Sequence, residues 1–254
     1  MPLSLGLEDT HVLITGGAGL IGGAVVRAFL SEGAHVSSVD IAHADVASDD
    51  EEEEPESEYS GPGTLHEYYG DVADEASLAR AWRRAVAENG PWLRGIRDAE
   101  SSWDYLENAS LVLVGSESGW FGERGYPDYA AAKSAVQGGL LKSLAADAPR
   151  VYEKARVNAV APGPVDTVRF RQECADNPDQ LWLDAQATTG LGKPVPVEAV
   201  ARSILFLASD NFSSHVHGQV LNVDSGKQGK VLWPKEDIVD YRSSPSQSQG
   251  SEED

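Results

Sequence analysis

The chain has 254 residues, 41% of them hydrophobic, which fits one globular domain with an adequate core. A formal charge of −21 opposes nucleic-acid binding, and without a long apolar run neither a membrane span nor a signal peptide is expected. A single cysteine, Cys174, excludes an internal disulfide and fits a reducing, cytoplasmic setting.

Residues 11–15 (HVLIT) read as a short strand that ends abruptly in Gly16, Gly17, Gly19 and Gly22. AVVRAFLSEG follows with helical period, placing Val25, Val26, Phe29 and Leu30 on one face and Gly33 at the stop. A second strand, residues 35–39, runs into Asp40. Strand, glycine turn, helix, strand and acid is the order a dinucleotide site requires. The glycines let backbone N–H groups approach a pyrophosphate at a helix N-terminus, and the acid accepts from ribose hydroxyls. Asp40 lies 18 residues after Gly22. A carboxylate there repels a 2′-phosphate, and Ser37 and Ser38 supply no positive charge, so NAD is expected over NADP.

Residues 49–58 (DDEEEEPESE) carry eight acids between the second and third strands, so an insert over residues 45–63 is expected to be solvated and disordered. The third strand, near residues 66–69, leads to Gly70, Asp71 and Val72. Residues 74–89 read as a helix with Leu78, Trp82, Ala85 and Val86 on one face, closed by Gly90 and Pro91. Residues 92–106 read as another helix, carrying Leu93, Ile96, Trp103 and Leu106. The apolar run LVLV (111–114) is a strand ending in GSESG, which holds Ser116 and Ser118. Thirteen residues after Ser116 comes Tyr129, in the string YAAAK with Lys133. Residues four apart share a helix face, so the phenol and the ammonium converge on one point. A phenol is a poor acid or base near neutrality, its reference pKa being about 10, and a cation beside it favours the phenolate. Alone, Tyr-x-x-x-Lys is a weak signal, and its surroundings carry the argument.

Residues 156–167 (RVNAVAPGPVDT) read as a strand and a Pro-Gly turn. The stretch from Val165 to Gly192 is too long for a plain connection and carries Phe170, Leu181 and Trp182. This predicts a mobile lid over an apolar substrate, against the alternative of helices packed permanently on the body. VEAVARSILFLASD and HGQVLNVDSG read as the last helix and last strand. His215 and His217 lack a third ligand and are read as surface residues, not a metal site. Residues 227–254 form a polar extension, expected to be disordered from about Arg242.

Together these features resemble the short-chain dehydrogenase/reductase family, in its single-domain branch, over residues 7–226. The resemblance implies an α/β fold with a doubly wound parallel sheet of Rossmann type in one domain, residues 1–226. It implies hydride transfer between NAD or NADP and a small carbonyl or alcohol substrate, here an apolar one. Ser116 would orient the carbonyl, Tyr129 would be the acid/base, and Lys133 would serve both the phenol and the nicotinamide ribose. The cofactor-binding set carried over is Gly16, Gly19, Ile21, Gly22, Asp40, Asp71, Tyr129, Lys133, Val165 and Thr167, with no metal. Homo-oligomers are common in the family. The likeness is nearest to fungal members, many in secondary-metabolite pathways, which points to such a role by analogy.

Two departures stand out. The glycine motif has Leu20 where the single-domain branch usually has its second clustered glycine, a spacing commoner in the sugar-nucleotide epimerase branch. Only residues 70–110 separate the third strand from the serine strand. The family places two crossovers and a strand there, and one βαβ unit takes about 30 residues or more. The family's Asn-Asn-Ala-Gly strand and its catalytic asparagine have no counterpart in the chain. A central strand–helix unit is therefore expected to be missing, and the flanking strands either close up or stay unpaired. A catalytically impaired member that binds dinucleotide or a partner is the rival reading.

Overall fold

The computed structural model describes residues 3–44, 61–88, 109–177 and 179–238. The first half builds a three-stranded parallel sheet. Strand β1 (His11–Thr15) pairs with β2 (His35–Asp40), which pairs with β3 (Thr64–Tyr69), with His11, His35 and Thr64 in register. Helix α1 (Leu20–Ser31) crosses from β1 to β2 and stops at Gly33, whose φ of 80° is easy for glycine alone. Helix α2 (Glu75–Glu88) follows β3 and buries Ala81, Ala85 and Val86.

The second half repeats the plan. Strand β4 (Ala109–Val114) leads through the short α3 (Ser118–Phe121) to α4 (Pro127–Ala135). A π-type turn, Val136–Leu140, joins α4 to α5 (Leu141–Val151). Strand β5 (Ala155–Pro162), helix α6 (Val168–Asp176), a second π-type turn (Leu181–Gln186), α7 (Val197–Ala208), α8 (Asp210–Ser213) and β6 (Val220–Val223) complete the order. The sheet β4-β5-β6 is again all parallel.

The fold is Rossmann-like, and it is divided. The described residues place no strand between β1 and β4, and these two strands are not paired with each other. The Gly115 N–H reaches back to the Val160 carbonyl at 2.7 Å, so strand alternation turns the polar groups of Val114 to the other edge of β4, which no described strand covers. Gly16 N–H bonds the Val39 carbonyl at 2.8 Å, which likewise turns Thr15 away from β2. Among the described residues, these two edges therefore have no strand partner.

The core reflects this division. On one face, α1 and α7 pack together and form a single cluster beneath both sheets, with Phe29, Leu30, Val36, Val160, Val200 and Leu207 buried. Burying each large apolar side chain there contributes about 1.5–3 kcal/mol. On the opposite face the core is broken in two. Val39, Tyr68, Ala81 and Ala85 serve the first sheet, while Leu141, Ala145, Val157 and Ala159 serve the second.

The stretch from Val165 to Gly192 is partly laced down. Helix α6 is capped by the Thr167 hydroxyl, which accepts from Phe170 N–H at 3.1 Å, and it buries only Phe170. Beyond it, Ala185, Ala187 and Thr189 are fully buried. Residues 225–233 run back along this segment: Gly190 N–H donates to Gly226 O (3.0 Å), Gln228 N–H to Thr188 O (2.9 Å) and Leu232 N–H to Ala187 O (2.6 Å). Trp233 Nε1 adds a bond to Thr189 O at 3.1 Å.

His215 is exposed, as expected, whereas His217 is half-buried and hydrogen-bonded. Its Nδ1 accepts from Val157 N–H at 3.2 Å and its Nε2 donates to Ala145 O at 2.7 Å, so it joins β5 to α5. No cluster of three metal-ligating side chains occurs among the described residues. No helix among them is long and apolar enough to cross a membrane. The acidic run, the expected helix over 92–106 and the tail beyond 238 lie outside the described residues.

Candidate active site

The glycine loop is built for close approach. Gly16 adopts φ of 73°, and a Cβ on Gly22 would overlap the Gly16 carbonyl oxygen. A Cβ on Gly17 would overlap the Ser38 hydroxyl. Gly19 caps α1 with no side chain, so the positive end of that helix is left open to an anion. Ile21, at the second position of α1, packs against the main core. Asp40 ends β2 beside this loop. Its carboxylate accepts from Ala18 N–H at 3.1 Å and Ala42 N–H at 3.0 Å, which holds the glycine turn to the second strand. The Asp40 carbonyl accepts from Gly70 N–H at 3.2 Å, so Asp71 stands next to Asp40 at the strand ends. Asp71 is itself fixed by Ser77 Oγ and Ala73 N–H.

At the corresponding end of the second sheet, β4 runs into Ser116. The hydroxyl of Ser116 is buried and donates to Ser118 Oγ at 3.2 Å. Tyr129 and Lys133 sit on α4, with Lys133 Nζ 5.5 Å from the tyrosine ring centroid. Lys133 Nζ donates to the Val114 carbonyl at 2.9 Å, taking the group that faces the open edge of β4. Burial holds its ammonium below the ordinary lysine range. Tyr129 is 44% exposed, and α4 buries none of its residues. The structure thus brings Lys133 both to the Tyr129 ring and to the strand of Ser116. The serine hydroxyl is turned to Ser118, not to the phenol.

The turn after β5 carries the remaining pair. Val165 is nearly buried and forms a parallel bridge with Val195, with Asp166 N–H bonded to Val195 O at 2.8 Å. Thr167 follows as the cap of α6. Its hydroxyl oxygen is used by Phe170, and its hydroxyl proton is left to donate.

Four side chains of this region were missed by sequence reasoning. Gln137, 1% exposed, wedges between Gly115 and Gly119 and accepts from Ser116 N–H at 2.9 Å. It lies four residues past Lys133, and that shared helix face was the available signal. Glu117, between the two serines, pairs with Lys227 at 3.1 Å, both side chains 12% exposed. Burial pushes the Glu117 carboxyl up to about 7, against the pull of Lys227. Asp184 is raised as well, by burial and then by Glu123. An acid inside a buried strand end is visible in GSESG, whereas its partner lies too far along the chain to infer.

Residues 94–228 match the family model described as Enoyl-(Acyl carrier protein) reductase, and residues 12–91 match that of the NAD dependent epimerase/dehydratase family. The second match covers the glycine motif with its epimerase-type spacing. The chain is similar to 3-oxoacyl-[acyl-carrier-protein] reductase FabG of Thermotoga maritima, 32% identical, over 87% of this chain and 98% of that protein. It is similar at the same identity and coverage to acetoacetyl-CoA reductase of a Synechocystis strain. Its fold is shared by a carveol dehydrogenase from Mycobacterium avium in complex with NAD (TM-score 0.66, 22% identity, 86% of this chain and 97% of that one). It is shared too by a short chain dehydrogenase from Mycobacterium paratuberculosis bound to NAD (TM-score 0.63, 23% identity, 87% and 98%).

Proposed function

Because the chain belongs to the short-chain dehydrogenase/reductase family, we propose that it interconverts an alcohol and a ketone with a nicotinamide dinucleotide. The observation that carries this reading is the convergence of Lys133 on both Tyr129 and the strand end of Ser116.

The chain's own residues fit the cofactor. Gly17 and Gly22 sit where a Cβ would collide, which keeps the turn close enough for backbone N–H groups to meet a pyrophosphate at the start of α1. Asp40 and Asp71 would take the adenosine end, and Val165, Thr167 and Lys133 the nicotinamide end. When bound, the cofactor supplies or accepts the hydride. The Tyr129 hydroxyl gives its proton to the carbonyl oxygen in reduction and takes it back in oxidation. The Ser116 hydroxyl holds that oxygen by turning from Ser118. Gln137 fixes the backbone from which Ser116 projects.

The named substrates of the relatives are acyl-carrier-protein and coenzyme A thioesters of oxo acids. Both carriers are anionic, and a chain of charge −21 repels them. This supports a free, small and apolar carbonyl compound as substrate. A place in secondary metabolism would suit such a substrate. A carboxylate at Asp40 supports NAD over NADP.

Reduction of a panel of small ketones and acetoacetyl-CoA, with NADH and with NADPH, tests the reading. Turnover of free ketones with NADH is expected, and tighter calorimetric binding of NADPH would overturn the Asp40 argument. A second reading, a member that binds dinucleotide without turning over, is favoured by the open edge of β4 and the exposure of Tyr129. Tight NAD binding with no turnover of any ketone would establish it.

A further inference from the structure

Four parts of the molecule meet at Glu117 and Lys227. Glu117 is bound into the end of β4, its N–H donating to Pro162 O at 2.8 Å and its carbonyl accepting from Trp120 and Phe121 N–H at the start of α3. Its Oε2 is buried without a hydrogen-bond partner among the described residues. A Cβ on Gly163 would stand 3.1 Å from that oxygen, so the glycine of the Pro-Gly turn leaves the carboxylate its room. Lys227 Nζ bridges Glu117 Oε1, at 3.1 Å, and the Asp184 carbonyl, at 2.9 Å. The backbone of Lys227 pairs antiparallel with Thr189. One ion pair therefore ties the strand of Ser116, the turn before Val165, the segment around Asp184 and the returning residues 225–233.

Stability does not explain the pair. Burial is the largest influence on the Glu117 carboxyl and exceeds what Lys227 returns, while Asp224 and Glu123 add repulsion. A buried pair of this kind is often neutral or unfavourable relative to uncharged replacements. What it does supply is a fixed distance between the catalytic strand end and the covering segment.

We propose that Glu117 and Lys227 are positioning residues, whose ion pair clamps residues 181–191 against the strand end of Ser116 and so sets how tightly a carbonyl substrate is held. The proposal rests on the reading of the site as an oxidoreductase. The groups facing Glu117 are Lys227 from the returning segment, Asp224 from the end of β6 and Glu123 after α3, with Asp184 also near Lys227. Protonation of Glu117 removes one half of the ion pair, so substrate binding loosens as pH falls through about 7. The Tyr129 hydroxyl is not part of the clamp.

The test uses the full chain with Glu117→Gln, Lys227→Met and the double variant. Kinetics are measured between roughly pH 6 and 9, the window in which the carboxyl changes charge. Amide exchange is followed at Gly190, Leu191 and Gln228. Each single variant is expected to raise KM about tenfold with kcat within about twofold, and the double to be no worse than either. The wild-type KM should rise below about pH 7, and Glu117→Gln should be flat. Exchange at the three amides should quicken without a fall in Tm. Unchanged KM profiles, additive single effects or unchanged exchange would each overturn the clamp. If the wild type turns over no ketone, the functional reading fails alone and exchange in Glu117→Gln still decides. If neither variant folds, wild-type exchange across the same pH range decides, and pH-independent exchange overturns the proposal.

Discussion

The ammonium of Lys133 is engaged from two sides, by the Val114 carbonyl at 2.9 Å and by the Tyr129 ring at 5.5 Å. Removing the Tyr129 oxygen and removing the Lys133 ammonium have different consequences. Under the proposed mechanism, Tyr129→Phe deletes only the oxygen that would transfer the proton, so turnover should fall about 10²–10⁴-fold with NAD affinity nearly unchanged. Lys133→Ala should damage turnover and NAD affinity together and also lower Tm, because the Val114 carbonyl at the open edge loses its donor. Steady-state kinetics, calorimetry and thermal melts separate the two. At this scale the sequence was informative wherever one element supplies the geometry. Tyr129 and Lys133 share a helix, and Gly16 to Gly22 form one turn. Gln137 meets Ser116 from 21 residues away and Lys227 meets Glu117 from 110 away. Such contacts follow from tertiary docking, which periodicity does not report.

Among the elements, the first sheet holds three half-buried histidines. His11 on β1 is lowered to about 4 by burial, then by His35 and His66 on the neighbouring strands. Its Nε2 lies 2.8 Å from Ser37 Oγ. The folded chain keeps His11 neutral while the unfolded chain protonates it near 6.5, so stability falls as pH drops from about 6.5 toward 4. His11→Gln should flatten that part of the denaturant-midpoint profile; an identical slope in both proteins would remove His11 as the cause. The returning segment makes a second prediction. Trp233→Ala deletes the bond to Thr189 O and should hasten amide exchange at Gly190 and Gln228, leaving β5 unaffected. Strand and helix order was legible because each element has its own apolar period and glycine or proline stop. The lacing of residues 187–191 to 225–233 was not, since the polar composition after Gly226 reads as an unattached extension.

At the largest scale, the decisive property among the described residues is a core that is continuous on the α1–α7 face and split into two clusters on the other. The shortness of residues 70–110 limits how many crossovers fit there, and among the described residues no strand lies between β1 and β4. It did not foretell that α1 and α7 would bridge the interruption. Inserting a family-type strand and helix between residues 88 and 109 should pair the open edges of β1 and β4, raise Tm and raise turnover by orders of magnitude. If the unmodified chain already turns over ketones at about 1–10³ per second, the open centre is not damaging to function.

The same interruption would give a dinucleotide bound as proposed a mechanical part. Asp40 and Asp71 belong to one three-stranded sheet, while Lys133, Val165 and Thr167 belong to the other half, and among the described residues the two halves share a buried cluster on one face only. That arrangement is a book with α1 and α7 as its spine. A ligand gripped at one end by each cover is a clasp as well as a reagent. Its binding energy then resists hinge opening, so saturating NAD should protect amides in β1 and β4 together, more than adenosine diphosphate, which holds a single cover.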